Sequence, residues 1–169
     1  NRKITRKEIE ATMARVRRKL PDVAWRTTFI VGFPTETDQD FEELVDFVSE
    51  GHFQHLGIFL YSDEDNIRSS KFGDPIPLSL KEERKNRLME IQQKISREHH
   101  QKMVGSLQQV LVGGFSSETD LLLEGRNQYQ GPEVDGVVYI NEGNATSAGF
   151  HQVEITEAHE YDLVGKILN

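Results

Sequence analysis

The hydrophobic period of the chain changes near residue 105, and that change limits what it can fold into. Before it, apolar residues recur at helical spacing or in short solid runs. After it, they tend to alternate with polar ones. A period near 3.6 belongs to helices, and a period of two to strands with one buried face. The spacing predicts an α/β piece over residues 1–99 and a small all-β unit over residues 100–169.

Residues 5–19 read as a helix. Ile9, Thr12, Met13, Val16 and Leu20 make its apolar stripe, and Thr5 with Glu8 has the spacing of a capping box. Arg15, Arg17, Arg18 and Lys19 crowd its last turns, where cations suit the helix dipole. A short strand over 23–31 stops at Gly32. Phe33-Pro34-Thr35-Glu36 turn the chain, and Thr37 or Asp38 can cap a second helix over 38–50. A second strand runs from Leu56 to Tyr61. A polar loop over 62–78 leads to a long helix over 79–104, with Ser79 and Glu82 at capping-box spacing and Leu88, Ile91 and Ile95 as a narrow stripe. Helices alternating with strands imply a parallel sheet with right-handed crossovers. Two strands alone leave sheet edges unpaired, which suggests that other strands stand beside them.

Five strands are expected in the second part, over 107–112, 121–126, 136–140, 150–157 and 163–168. Turn signals lie at Gly113-Gly114, Gly131-Pro132 and Glu142-Gly143-Asn144. Five short strands in this space suggest a small closed or partly open barrel, five-stranded and OB-like.

Composition limits the chemistry. The chain has 169 residues and no cysteine, so it offers no thiolate for zinc, disulfides or iron–sulfur clusters. It has no apolar run long enough for a membrane span. It begins at Asn1, inside a helical pattern, which suggests a piece of a longer protein. Charge is unevenly placed. Residues 1–100 carry 17 Lys and Arg against 18 Asp and Glu, whereas residues 101–169 carry 3 against 10. An acidic barrel repels phosphates and attracts basic proteins.

The strand–turn–helix junction at 26–37 is the best site candidate, because ligands in α/β folds sit where strands end and helices begin. It is no phosphate loop, lacking both Gly-Lys-Ser/Thr and Gly-x-Gly-x-x-Gly. His52 and His55 stand three apart but flank a helix end and a strand start, so they read as surface histidines rather than metal ligands. His99 and His100 read as solvent-facing. Asp63, Glu64 and Asp65 lack the spacing of a calcium loop.

The whole chain resembles the C-terminal half of a radical SAM methylthiotransferase. The matching stretches are Val31-Gly32-Phe33-Pro34-Thr35-Glu36-Thr37 with Asp40-Phe41, Leu56-Gly57-Ile58-Phe59-Leu60-Tyr61-Ser62, and Arg87-Leu88-Met89-Glu90-Ile91-Gln92. Val104-Gly105, Pro132-Glu133-Val134-Asp135-Gly136-Val137-Val138-Tyr139-Ile140 and Tyr161-Asp162-Leu163-Val164-Gly165 complete them. The resemblance implies the end of a radical SAM (β/α) barrel followed by a TRAM domain. The stretch 132–140 looks like the branch that adds a methylthio group to the β-carbon of an aspartate in ribosomal protein number twelve of the small subunit. The sister branch modifies a tRNA adenosine, and a non-catalytic binding module is a third reading. The acidic barrel favours a basic ribosomal protein over RNA, and the setting implied is cytoplasmic.

By resemblance, Arg26, Val31, Gly32, Phe33, Pro34 and Tyr61 would hold S-adenosylmethionine; by their charge on the acidic barrel, Glu133 and Asp135 would meet the basic protein substrate. The family uses two 4Fe–4S clusters held by cysteines, none of which lies in this chain, so no catalytic residue and no metal ligand is expected here. Two departures stand out. Thr35 replaces the usual glycine, and Asp63-Glu64-Asp65-Asn66-Ile67 replaces the usual Pro-Glu-Glu-Gly-Thr.

Overall fold

A computed structural model describes residues 4–64, 69–144 and 148–168. Helix α1 (Arg6–Lys19) starts at Thr5, whose hydroxyl and backbone exchange hydrogen bonds with Glu8 in a full capping box. Strand β1 (Arg26–Val31) leads to helix α2 (Asp38–Ser49), capped by Thr37 and Asp40 in the same reciprocal way. Strand β2 (His55–Leu60) lies parallel to β1, with Arg26 opposite His55 and Val31 opposite Leu60. A single 3-10 turn, Ser70–Phe72, precedes helix α3 (Leu78–Gln101).

The start of α3 differs from the expectation. Pro77 is the cap, no side chain caps the helix, and the Ser79–Glu82 box does not form. The Pro77 carbonyl instead accepts from the amides of Leu80 and Lys81 at 3.1 and 3.2 Å. Proline fixes its own φ in a helix-compatible range, so it can open the helix one residue early.

Val31 and Ile58 of the sheet, Phe41, Val45 and Val48 of α2, and Leu88 of α3 form the first core. Phe47, Phe53 and Met13 form a second, closed by edge-to-face aromatic pairs with Phe29. At its C-terminal end the other face of the two-stranded sheet is apolar and open: Ile30 and Phe59 are 57% and 63% exposed.

Five strands follow: β3 (Leu107–Phe115), β4 (Leu123–Arg126), β5 (Val138–Glu142), β6 (Gly149–Ala158) and β7 (Leu163–Ile167). They close a barrel in the order β3-β4-β5-β7-β6, with β5 and β7 parallel and the other pairs antiparallel. Strand β3 runs through Gly113-Gly114, which was expected to be a turn. A bulge between Val112 and Gly114 absorbs the extra residue there. Strand β4 starts later than the pattern suggested, and Leu121 is 88% exposed.

Eight inward side chains fill the barrel: Val110, Val112, Val138, Ile140, Val153, Ile155, Leu163 and Ile167. The interior is too narrow for more. A Cβ on Gly125 would lie 2.6 Å from Val110 Cγ1, and one on Gly165 would lie 2.5 Å from Val153 Cγ1.

Helix α3 joins the two parts. Ser96 Oγ donates to the Glu160 carbonyl at 2.6 Å, and His100 Nδ1 meets the His159 carbonyl at 3.0 Å, so that nitrogen carries the proton. His100 is buried, unlike the solvent-facing reading of the sequence. Across the same seam, Arg26 pairs with Asp135, and His55 bridges from Asp135 to the Tyr129 carbonyl at 2.9 and 2.7 Å.

Two outcomes follow for measurement. Leu88→Ala removes a fully buried side chain and should cost the α/β part about 2–5 kcal/mol in urea unfolding. Burial, opposed by the His159 carbonyl and Asp162, holds the His100 imidazole below its ordinary 6.5. An unfolded chain then binds a proton that the folded seam excludes. Its stabilisation is complete above pH 6.5 and is lost as pH falls through and below that value. The thermal midpoint should drop between neutral and mildly acid buffer, and His100→Gln should make that drop shallower.

Candidate functional site

The site candidates separate into two groups at opposite ends of β1. Val31, Gly32, Phe33, Pro34 and Tyr61 gather at the C-terminal ends of β1 and β2. Arg26 stands at the other end of β1, roughly 17 Å away at the usual rise per strand residue. There its guanidinium faces Asp135 of the barrel.

The first group forms a rim. Tyr61 N–H donates to the Val31 carbonyl at 2.9 Å, which extends the β1–β2 pairing to the last residue. The Phe33 ring meets Tyr61 edge to face at 5.3 Å and Phe72 at 6.3 Å. Phe33 and Phe72 remain 37% and 46% exposed, so the rim presents an aromatic wall beside the open Ile30–Phe59 face. Gly32 has a φ of 80°, where a side chain is strained. A Cβ there would also lie 2.4 Å from Lys81 Cγ. Thr35 is not among the residues with positive φ, so the turn closes without a glycine at that place.

Glu36 has a definite job in this turn. Its carboxylate accepts the Gly32 amide at 3.0–3.1 Å and the Arg84 guanidinium at 2.6 Å. Arg84 also reaches Asp38 at 2.6 Å and lies over the Phe41 ring at 5.2 Å. Lys81 donates to the Tyr61 carbonyl at 2.9 Å and to Asp74 at 2.6 Å. Lys81 and Arg84 are 2% and 4% exposed. The sequence reading missed both, because a charged residue on a charged helix reads as solvent-facing. Their spacing held the signal: Lys81, Arg84, Leu88, Gln92, Ser96 and His100 are three or four apart, a single stripe of a helix.

The second group is a seam. Asp135, with a side chain 5% exposed, is shared by Arg26, His55 and the Gly131 amide at 2.7 Å. It lies inside the junction, away from the outer surface of the barrel. Glu133 is exposed, on a backbone with φ of 64°. Burial and the nearby Arg26 charge push the His55 imidazole below its ordinary value. His52 serves elsewhere, between Glu50 at 2.6 Å and Arg17 at 3.2 Å. Among the described residues no group of three His, Asp or Glu side chains could hold a metal ion. No helix among them is long and apolar enough to cross a membrane. Residues 65–67 of the departing stretch lie outside the described residues.

Comparison with known proteins fits this two-part arrangement. Residues 104–168 match the TRAM domain family. The chain is 49% identical over 168 residues to the ribosomal protein uS12 methylthiotransferase RimO of Bdellovibrio bacteriovorus, covering 99% of this chain and 37% of that protein. It is 45% identical over 169 residues to RimO of Desulfotalea psychrophila, covering all of this chain and 38% of that protein. RimO of Geobacter sulfurreducens is 41% identical over 169 residues, again with 38% of its length covered. The chain thus spans little more than a third of the length of these relatives. Residues 104–168 are similar to TRAM domains, and the chain as a whole is similar to a segment of the RimO methylthiotransferases.

Proposed function

We propose that the chain is the C-terminal part of a radical SAM methylthiotransferase that adds a methylthio group to the β-carbon of an aspartate in ribosomal protein uS12. The observation that carries this reading is identity of 41–49% to proteins of that name across both parts of the chain and the junction between them. A ribosomal substrate implies a cytoplasmic setting.

In this reading the rim holds S-adenosylmethionine. The exposed edges of Phe33 and Phe72 and the apolar Ile30–Phe59 face suit the flat surface of an adenine, and the turn at Val31–Pro34 with Tyr61 would flank it. When bound, that cofactor supplies the radical chemistry together with an iron–sulfur cluster. The chain has no cysteine, so its residues do not fit such a cluster, and the thiolates come from outside these 169 residues. Its own contribution is to bind and orient.

The barrel supplies the partner surface. Glu118, Asp120, Glu133, Glu142 and Glu157 are exposed, and among the described residues none of them is in an ion pair. A patchwork of free carboxylates with few cations attracts a basic ribosomal protein and repels an RNA backbone.

Fluorescence anisotropy of labelled uS12 and of labelled tRNA against this chain tests the choice. Binding to uS12 should weaken as salt rises from about 0.05 to about 0.2 M, and Glu133→Lys should weaken it by roughly 3- to 10-fold. Low-micromolar tRNA binding with a steep salt slope, and none to uS12, would sink the reading.

A further inference from the structure

Helix α3 sends two buried cations to the two strand ends that make the rim. The stem of Lys81 crosses Gly32 so closely that a Cβ there would lie 2.4 Å from it, and its ammonium ends on the Tyr61 carbonyl and on Asp74. Arg84, one helical turn on, holds Glu36, which in turn holds the Gly32 amide. Each lock therefore ends on a backbone atom of one strand exit, Gly32 N–H on β1 and Tyr61 C=O on β2.

Stability alone is a poor reason for this arrangement. Taking an ammonium and a guanidinium out of water is costly, and well-packed apolar residues of similar volume usually do as well or better. The apolar part of α3 lies close by at Leu88, so an apolar residue at either position would extend an existing core. What buried charges with fixed partners do provide is one conformation of the backbone they hold. Gly32 needs such a hold, since glycine is the residue that resists no alternative.

We propose that Lys81 and Arg84 are positioning residues that set the spacing of the Gly32 turn and the Tyr61 carbonyl for an adenosine-bearing ligand. This rests on the reading of the rim as the S-adenosylmethionine site. Lys81 spans both exits directly, and Arg84 acts through Glu36. Neither is offered as a group that touches the reacting atoms.

Amide hydrogen exchange by NMR, with and without S-adenosylhomocysteine, separates positioning from general stability. Lys81→Met and Glu36→Gln in the full chain are the variants. Exchange at the Gly32 and Tyr61 amides should rise about tenfold or more. Barrel amides should exchange as in the parent, and affinity for S-adenosylhomocysteine should fall by a similar factor. Lys81→Arg, which keeps a cation, should restore part of the protection. Unchanged exchange at Gly32 and Tyr61, or an equal rise across the whole chain, would overturn the proposal. If the parent chain shows no shift with S-adenosylhomocysteine, the cofactor reading of the rim fails instead, and the exchange pattern still decides whether the two cations hold the turn.

Discussion

One face of helix α3 carries the organisation of the molecule. Along a single stripe it buries Lys81, Arg84, Leu88, Gln92, Ser96 and His100. Leu88 is the only apolar residue among them. Lys81 and Arg84 hold the strand exits, and Gln92 donates to the Phe53 and Gln54 carbonyls at the start of β2, at 3.1 Å each. Ser96 and His100 hold the Glu160 and His159 carbonyls of the barrel. A helix of 24 residues is about 36 Å long and stiff. The rim and the barrel are thus set against one rigid ruler, and each attachment is directional in a way that hydrophobic contact is not.

The polar stripe explains why so little apolar surface suffices at this junction. Hydrogen bonds to backbone carbonyls contribute modestly when made and cost more when left unmade. Rotating α3 away from this orientation would break these bonds. That asymmetry fixes the angle of the helix more sharply than a row of leucines would. Asp135 does the same from the barrel side, since Arg26, His55 and the Gly131 amide all converge on it. Gly136 lets the chain beside it pass against Tyr161, where a Cβ would lie 1.9 Å from the carbonyl oxygen.

Charge and shape are divided between the two parts. The α/β part pairs most of its key charges internally, through Arg84 with Glu36 and Asp38, Arg87 with Glu42, and Lys81 with Asp74. The barrel leaves several carboxylates unpaired, so its field acts outward. Val, Ile and Leu side chains fill the interior of the closed five-stranded barrel. Any partner must meet its surface, and a surface of free carboxylates selects by charge.

Much of the fold was legible in the sequence. The caps at Thr5 and Thr37 and the change to a period of two are local signals that survive into the structure, whereas the Ser79–Glu82 box does not. All five barrel strands were found, but β3 runs on through Gly113-Gly114, which reads as a turn whether it turns or bulges, and β4 and β5 each start two residues later than the pattern suggested. The rim residues of β1 and β2 were legible for the same reason, as a strand, a glycine and a proline in line. The roles of Arg26, Asp135, Lys81, Arg84 and His100 were not. Their charges say only that burial is costly, and which opposite charge or carbonyl offsets that cost lies 7 to 109 residues away in the chain. By itself the sequence determined the elements, the two-part division and the acidity of the barrel, because these depend on neighbours in the chain. Only the tertiary structure decided that α3 faces inward with its polar side, since that choice depends on unpaired carbonyls and carboxylates that the folded chain brings to meet it.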